Sequence, residues 1–326
     1  MTDLSFANLI GPDLRKVETL LHEALPEQHD AIGQALDHLI EGGGKRLRPV
    51  LVLLSAHLCR AVIDRAVYAA AAAEMLHTAT LVHDDLIDGS LIRRGVATLN
   101  ANWTPAATIL TGDYIFARAA YLVSQADSIR LTQRFAETLM VICNGEIRQM
   151  FNGQPDQAAL EEYERRIHAK TASLISLSAE SGAILANAQE EDGRALQVFG
   201  ERVGTAFQIV DDVLDFVAEE ETLGKPVGSD LRHGLATLPV LLFLEAGSDH
   251  GVAQPSAVRQ VLAGNRSEDV VEEAVRAVTE SSAIGQALAV ARQHADAAKE
   301  ALNGFAKTPY RTAMLELADF TVERRF

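Results

Sequence analysis

Apolar residues recur every three or four positions along nearly all 326 residues. That spacing puts them on one face of an α-helix. The pattern predicts helices over 12–24, 28–41, 47–60, 64–87, 105–123, 128–150, 157–186, 190–219, 235–246, 254–264, 267–279, 281–303 and 308–324. Turn-forming residues punctuate it at GGGK (42–45), DGS (88–90), NGQPD (152–156) and LGKPVGSD (223–230). The chain has no run of alternating strands, no Pro- or Ser-rich linker and no repeat of about 20–50 residues. The expectation is an all-α fold, with 1–326 as a single domain.

Composition sharpens this. Hydrophobic residues make up 48% of the chain but aromatics only 5%, and alanine is abundant, which suits close helix packing. The charge balance, 29 − 45 = −16, repels nucleic acid and anionic membrane, so an anionic ligand would need local basic clusters. Cys59 and Cys143 lie in apolar helical patterns and read as buried free thiols of a reducing compartment, with a disulfide as an alternative that nothing else in the sequence supports. The start, MTDLSFANLI, lacks a signal-peptide layout. The longest apolar stretch, Ala66 to Val82, is broken by Glu74 and His77, so no membrane span is expected. A cytoplasmic location follows as an expectation.

The candidate chemistry begins at TATLVHDDLIDGSLIRRG, residues 78–95. Asp84 and Asp88 share a helical face, with Asp85 beside them, on a segment otherwise built for burial. Like charges at that spacing cost about 0.2–0.5 kcal/mol when solvated, and several kcal/mol each when buried and unpaired. A solvated helix end would account for one such motif. A second, FQIVDDVLDF (207–216), repeats the D-D-x-x-D spacing at Asp211, Asp212 and Asp215. Two such helices facing each other would make a carboxylate-walled cleft. Oxygen-only ligands select a hard cation, and magnesium completes its octahedron with water and substrate phosphates. The expected ligand is therefore Mg²⁺ with a polyphosphate.

Cations to match it stand at Lys45 and Arg48 in GGGKRLRP, at Arg93 and Arg94, at Lys170 (followed by Thr171) in HAKTASL, and at Lys225. Each alone reads as an ordinary solvated charge. His77, two turns before Asp84, and Gln208, three residues before Asp211, point toward the two aspartate faces.

With these motifs joined, the sequence resembles the trans-isoprenyl diphosphate synthases of the polyprenyl synthetase family. The likeness runs from LPEQHDAIGQALDHLIEGGGKRLRP, beginning at Leu25, to the terminal LADFTVERRF. It implies the all-α isoprenoid synthase fold, a homodimer, and three Mg²⁺ ions held by Asp84, Asp85, Asp88, Asp211, Asp212 and Asp215. It implies catalytic roles for Asp84, Asp85, Asp88, Lys170, Asp211 and Asp212. Arg93, Lys170, Thr171, Gln208 and Lys225 match positions that contact the allylic diphosphate. Lys45, Arg48, His77 and Arg94 match positions that hold isopentenyl diphosphate. One departure stands out: where the family commonly has lysine in a GK-x-T-LP segment, HGLATLP has Leu235.

In the family, bulky side chains just before the first motif limit product length; here those positions are Ala79 and Thr80, with Ala69 to Ala73 beyond. Phe135, fourteen residues from Gln149 and thus about 21 Å along a helix, is a candidate floor. The expected product is long-chain, octaprenyl-like, with geranylgeranyl or farnesyl diphosphate as shorter alternatives. A terpene cyclase would replace the second motif with an Asn/Ser/Glu set. An HD-type phosphohydrolase is suggested by His83 and Asp84, without further assignable ligands. A non-catalytic subunit of a heteromeric synthase would be expected to lack one aspartate motif.

Overall fold

The computed structural model describes residues 6–23, 33, 39, 46–93, 96–151, 159–218, 226–249 and 256–323. Among these the chain is helical apart from one short hairpin. In order the elements are α1 (Phe6–Glu23), α2 (Leu47–Leu58), α3 (Ile63–Ile87), β1 (Ile92–Arg93), β2 (Val96–Ala97), α4 (Leu99–Asn102), α5 (Pro105–Gln125) and α6 (Ile129–Phe151). They continue as α7 (Ala159–Ile167), a π-helical turn (His168–Ala172), α8 (Ser173–Leu185), α9 (Glu190–Val217), α10 (Ser229–Arg232) and α11 (Leu238–Asp249). The last are α12 (Ser256–Leu262), α13 (Glu268–Thr279), α14 (Ala283–Ala301) and α15 (Pro309–Glu323). The all-α expectation holds, while the helix expected over 28–41 lies almost wholly outside the described residues. No described helix is long and apolar enough to cross a membrane.

Two compact units partition the chain: 1–140, 174–200 and 299–317 form one, and 141–173, 201–298 and 318–326 the other. The core of the first is α3. Ala70, Ala71, Ala72, Met75 and Leu76 are fully buried, because a helix apolar nearly all round needs neighbours on every side. Alanine and glycine make the approach close: a Cβ on Gly182 of α8 would run into the backbone of Ser55 and Ala56 in α2. Thr104 caps α5 by accepting a hydrogen bond from the Ala107 N–H, and Pro105 takes the first helical position, where no donor is needed. Helix α1 starts six residues before the expected position 12 and passes through Pro12. Burial of Ile10, ahead of the proline, offsets the lost backbone bond.

In the second unit, Tyr163, Ile167, Ile209, Val210, Val213, Leu238, Ala287 and Ala291 form one apolar cluster. A second gathers Phe216, Leu231 and Val240 with residues of α12 and α13. The helix expected at 235–246 begins instead at Leu238, because α10 and the turn after it occupy the preceding residues. Pro239 then falls in the first turn, where proline is tolerated.

Candidate active site

The first aspartate motif ends α3. Asp84 is half-buried, Asp85 is buried and Asp88 is exposed at the C-cap, its N–H donating to the Asp84 carbonyl over 2.8 Å. The hairpin, which sequence periodicity did not reveal, folds back onto this helix end. Ile92 pairs with Ala97 and Arg93 with Val96, while the connecting residues 94 and 95 lie outside the described set. Its base is clipped by Thr98, whose N–H donates to Leu91 O (3.0 Å) and whose hydroxyl donates to Ser90 O (2.7 Å). The result places Arg93 Nε 2.8 Å from Asp85 Oδ1. Burial raises the Asp85 pKa, Arg93 opposes this by charge and hydrogen bond, and the charges of Asp84 and Asp88 raise it again. Arg93 is thus the cation on the buried Asp85, set against the like charges of Asp84 and Asp88. An all-oxygen donor set of this kind suits a hard divalent cation whose shell is completed by phosphate oxygens.

Arg48 stands in the first turn of α2 and His77 is half-buried on α3, whereas Lys45, Arg94 and Lys225 lie outside the described residues. His83 turns toward α5, with Nε2 3.3 Å from Ile109 O and 3.5 Å from Asp113. Among the described residues no group of three or more His, Cys, Asp or Glu forms a ready metal cage, the two aspartate motifs included. Arg46, not singled out in the sequence, adopts φ 48°, ψ 37° before α2. Its guanidinium donates to both Glu18 oxygens (2.8 and 3.2 Å) and to Glu74 (3.1 Å). The signal for this was Glu74 itself, a lone carboxylate in an alanine run that burial obliges to find a cation. Ala79 is buried, Thr80 half-buried and Phe135 buried, all in the first unit.

The second motif lies on α9 in the other unit. Asp211 is half-buried, and Asp212 and Asp215 are buried. Asp215 Oδ2 accepts the Asp230 N–H (3.0 Å) and its carbonyl accepts the Gly228 N–H (2.7 Å), docking the start of α10. Gln208 bonds one turn on, to Asp212 rather than Asp211, with Nε2 2.9 Å from Oδ1. Tyr163 OH donates to the other oxygen, Oδ2, over 2.7 Å. Burial pushes the Asp212 pKa up to about 7, the bonds from Gln208 and Tyr163 holding it down in part.

Thr171 and Lys170 sit in the π turn, a helical irregularity of the kind found at functional sites. Thr171 Oγ1 donates to Gln208 Oε1 (2.7 Å), and Lys170 Nζ lies 3.2 Å from Glu146. Gly145 permits that approach, because a Cβ there would overlap Ala169. Arg166 stacks over the Tyr163 ring, 5.6 Å from its centroid, and donates to Ala236 O (2.8 Å), beside the unexpected Leu235. Tyr163, Arg166 and Glu146 were missed from sequence, since an isolated aromatic or charge on a helix carries no mark of its partner.

A profile of the polyprenyl synthetase family matches residues 29–279. Heptaprenyl diphosphate synthase component 2 of Geobacillus stearothermophilus is 38% identical, covering 98% of each chain. Octaprenyl diphosphate synthase of Haemophilus influenzae is 35% identical, covering 98% of this chain and 96% of its own. A crystal structure of polyprenyl synthase from Caulobacter crescentus CB15, complexed with calcium and isoprenyl diphosphate, superposes with TM-score 0.89 at 36% identity, covering 99% of this chain and 98% of that one.

Proposed function

Because the chain belongs to the polyprenyl synthetase family, we propose that it condenses isopentenyl diphosphate with an allylic diphosphate, head to tail and trans, to give a long-chain polyprenyl diphosphate. In this reading 1–326 works as one domain, in a homodimer located in the cytoplasm. The observation that carries the reading is the first motif, a buried carboxylate held by one guanidinium between two like charges. Asp84, Asp85, Asp88, Asp211, Asp212 and Asp215 would hold Mg²⁺, three ions in all, which would supply charge stabilisation to the departing diphosphate.

The chain's own residues do the rest. Arg93, Lys170, Thr171, Gln208 and Lys225 bind the allylic diphosphate, and Lys45, Arg48, His77 and Arg94 bind isopentenyl diphosphate. Arg93 and Lys170 begin paired with Asp85 and Glu146, so the incoming anion competes for cations that are already oriented. As the allylic C–O bond breaks, the double bond of isopentenyl diphosphate attacks the carbocation, and the released diphosphate takes the proton. No side-chain nucleophile is required. Leu235 removes one cation from the allylic site relative to the family pattern. With Ala79 and Thr80 no bulky side chain stands just before the first motif, which favours growth past geranylgeranyl length, with Phe135 as the floor.

Incubation with Mg²⁺, isopentenyl diphosphate and farnesyl diphosphate, followed by sizing of the dephosphorylated products, tests this. Products near octaprenyl length are expected; a stop at geranylgeranyl length would refute the long-chain part. The likeness to a synthase component 2 favours one second reading, a chain that works with a partner subunit. That reading requires that no product form from the purified chain alone.

A further inference from the structure

Tyr163 is 2% exposed and enclosed by Ile167, Ile209, Val210, Val213 and Leu238. A phenylalanine would fill that space equally well, so packing does not explain the hydroxyl. A buried hydroxyl needs a partner, and this one has Asp212 Oδ2 at 2.7 Å. Gln208 takes the other oxygen at 2.9 Å, and the carbonyl end of the same Gln208 amide accepts from Thr171 at 2.7 Å. The chain Tyr163–Asp212–Gln208–Thr171 thus ends inside the π turn, next to Lys170. Each carboxylate oxygen has a second lone pair beyond the bond it accepts, so a clamped Asp212 can still serve as a ligand. The ring itself is held from outside the network by the stacked Arg166, anchored to Ala236.

We propose that Tyr163 is a positioning residue for the prenyl transfer: its hydroxyl fixes the orientation of Asp212 and, through Gln208 and Thr171, the π turn that presents Lys170. The inference rests on the prenyltransferase reading above. Donors that orient ligating carboxylates are worth about 10–100-fold in metal affinity or activity.

The test is Tyr163→Phe, which keeps the ring, its packing and the stacked guanidinium. Expected are a kcat about tenfold lower and a Mg²⁺ requirement several-fold higher. Calorimetric binding of Mg²⁺ with inorganic pyrophosphate should weaken by about tenfold, while KM for isopentenyl diphosphate stays put. In a background of Asp212→Asn, the same substitution should cost no further pyrophosphate affinity. Wild-type values for both Mg²⁺ requirement and pyrophosphate binding would overturn the proposal. So would a fall in melting temperature with an unchanged Mg²⁺ requirement, the mark of a purely structural hydroxyl. If the wild-type protein forms no product yet binds Mg²⁺–pyrophosphate, the prenyltransferase reading fails while the calorimetric comparison still decides whether Tyr163 orients Asp212.

Discussion

Gly112 of α5 lies so close to the imidazole of His83 on α3 that an added Cβ would overlap the ring. His83 directly precedes Asp84, so helix–helix spacing and motif geometry are coupled at this point. Gly112→Ala should displace the ring and cost about 1–3 kcal/mol by overpacking. Activity should fall more than the melting shift accounts for, and paired thermal melts and product assays at one temperature will show whether it does.

Arg93→Gln leaves Asp85 buried without its ion pair. Breaking a fully buried pair costs about 3–5 kcal/mol, but Arg93 is 39% exposed, so solvent screening reduces this to about 1–2 kcal/mol. Mg²⁺ should recover more stability in the variant than in the wild type, since the ion replaces a lost positive neighbour. Melting temperatures with EDTA and with Mg²⁺ give the comparison; equal Mg²⁺ increments would argue against a metal at Asp85.

Gly182→Ala meets the backbone of Ser55 and Ala56, which cannot rotate away. A loss of about 3 kcal/mol is expected. The melting point should drop by on the order of 5 °C, which calorimetry can measure directly.

Burial separates two residues that looked equivalent in sequence. Ala79 is fully packed, whereas Thr80 is half-buried, its hydroxyl donating to His77 O over 2.8 Å. Thr80→Phe should therefore shorten the product toward geranylgeranyl length with little loss of fold. Ala79→Phe should destabilise by about 1–3 kcal/mol. Product sizing beside thermal melts distinguishes the two effects.

The cysteines should differ in reactivity with pH. Burial, with a smaller contribution from the Asp192 charge, pushes the Cys59 thiol up from 9.0 to about 12. Cys143, expected from the sequence to be buried, is instead exposed on its helix, and its thiol is only pushed upward. The raised value at Cys59 favours the protonated folded state, so this stabilisation is complete below the unfolded pKa and is lost as pH rises through about 12. Iodoacetamide at pH 8 should label Cys143 first, with Cys59 slower than a free thiol by about a thousandfold. Peptide mass mapping over time would expose the opposite order.

Periodicity located most helices to within a few residues because burial of one face dictates both pattern and element. The D-D-x-x-D repeats were legible for a related reason: local spacing advertises a local cost. What escaped were features whose partners come from distant positions. Arg93 was found as a charge, but the hairpin that returns it to Asp85 has two-residue strands, too short to show alternation. The periodic run at 157–186 read as one helix and hid the π turn, since one extra residue in a turn leaves the apolar spacing nearly intact. Asp215 matched the motif, but its bond to the Asp230 N–H shows only in three dimensions.

Arg46 alters what the basic run KRLR can do at a distance. Its left-handed backbone costs about 1–2 kcal/mol, and Glu18 and Glu74 hold it there. One positive charge against two negative ones sums to 1 − 2 = −1 for that trio. Viewed from solvent, the run therefore projects far less positive potential than its letters suggest. Electrostatic steering of an anion by this segment should be weak.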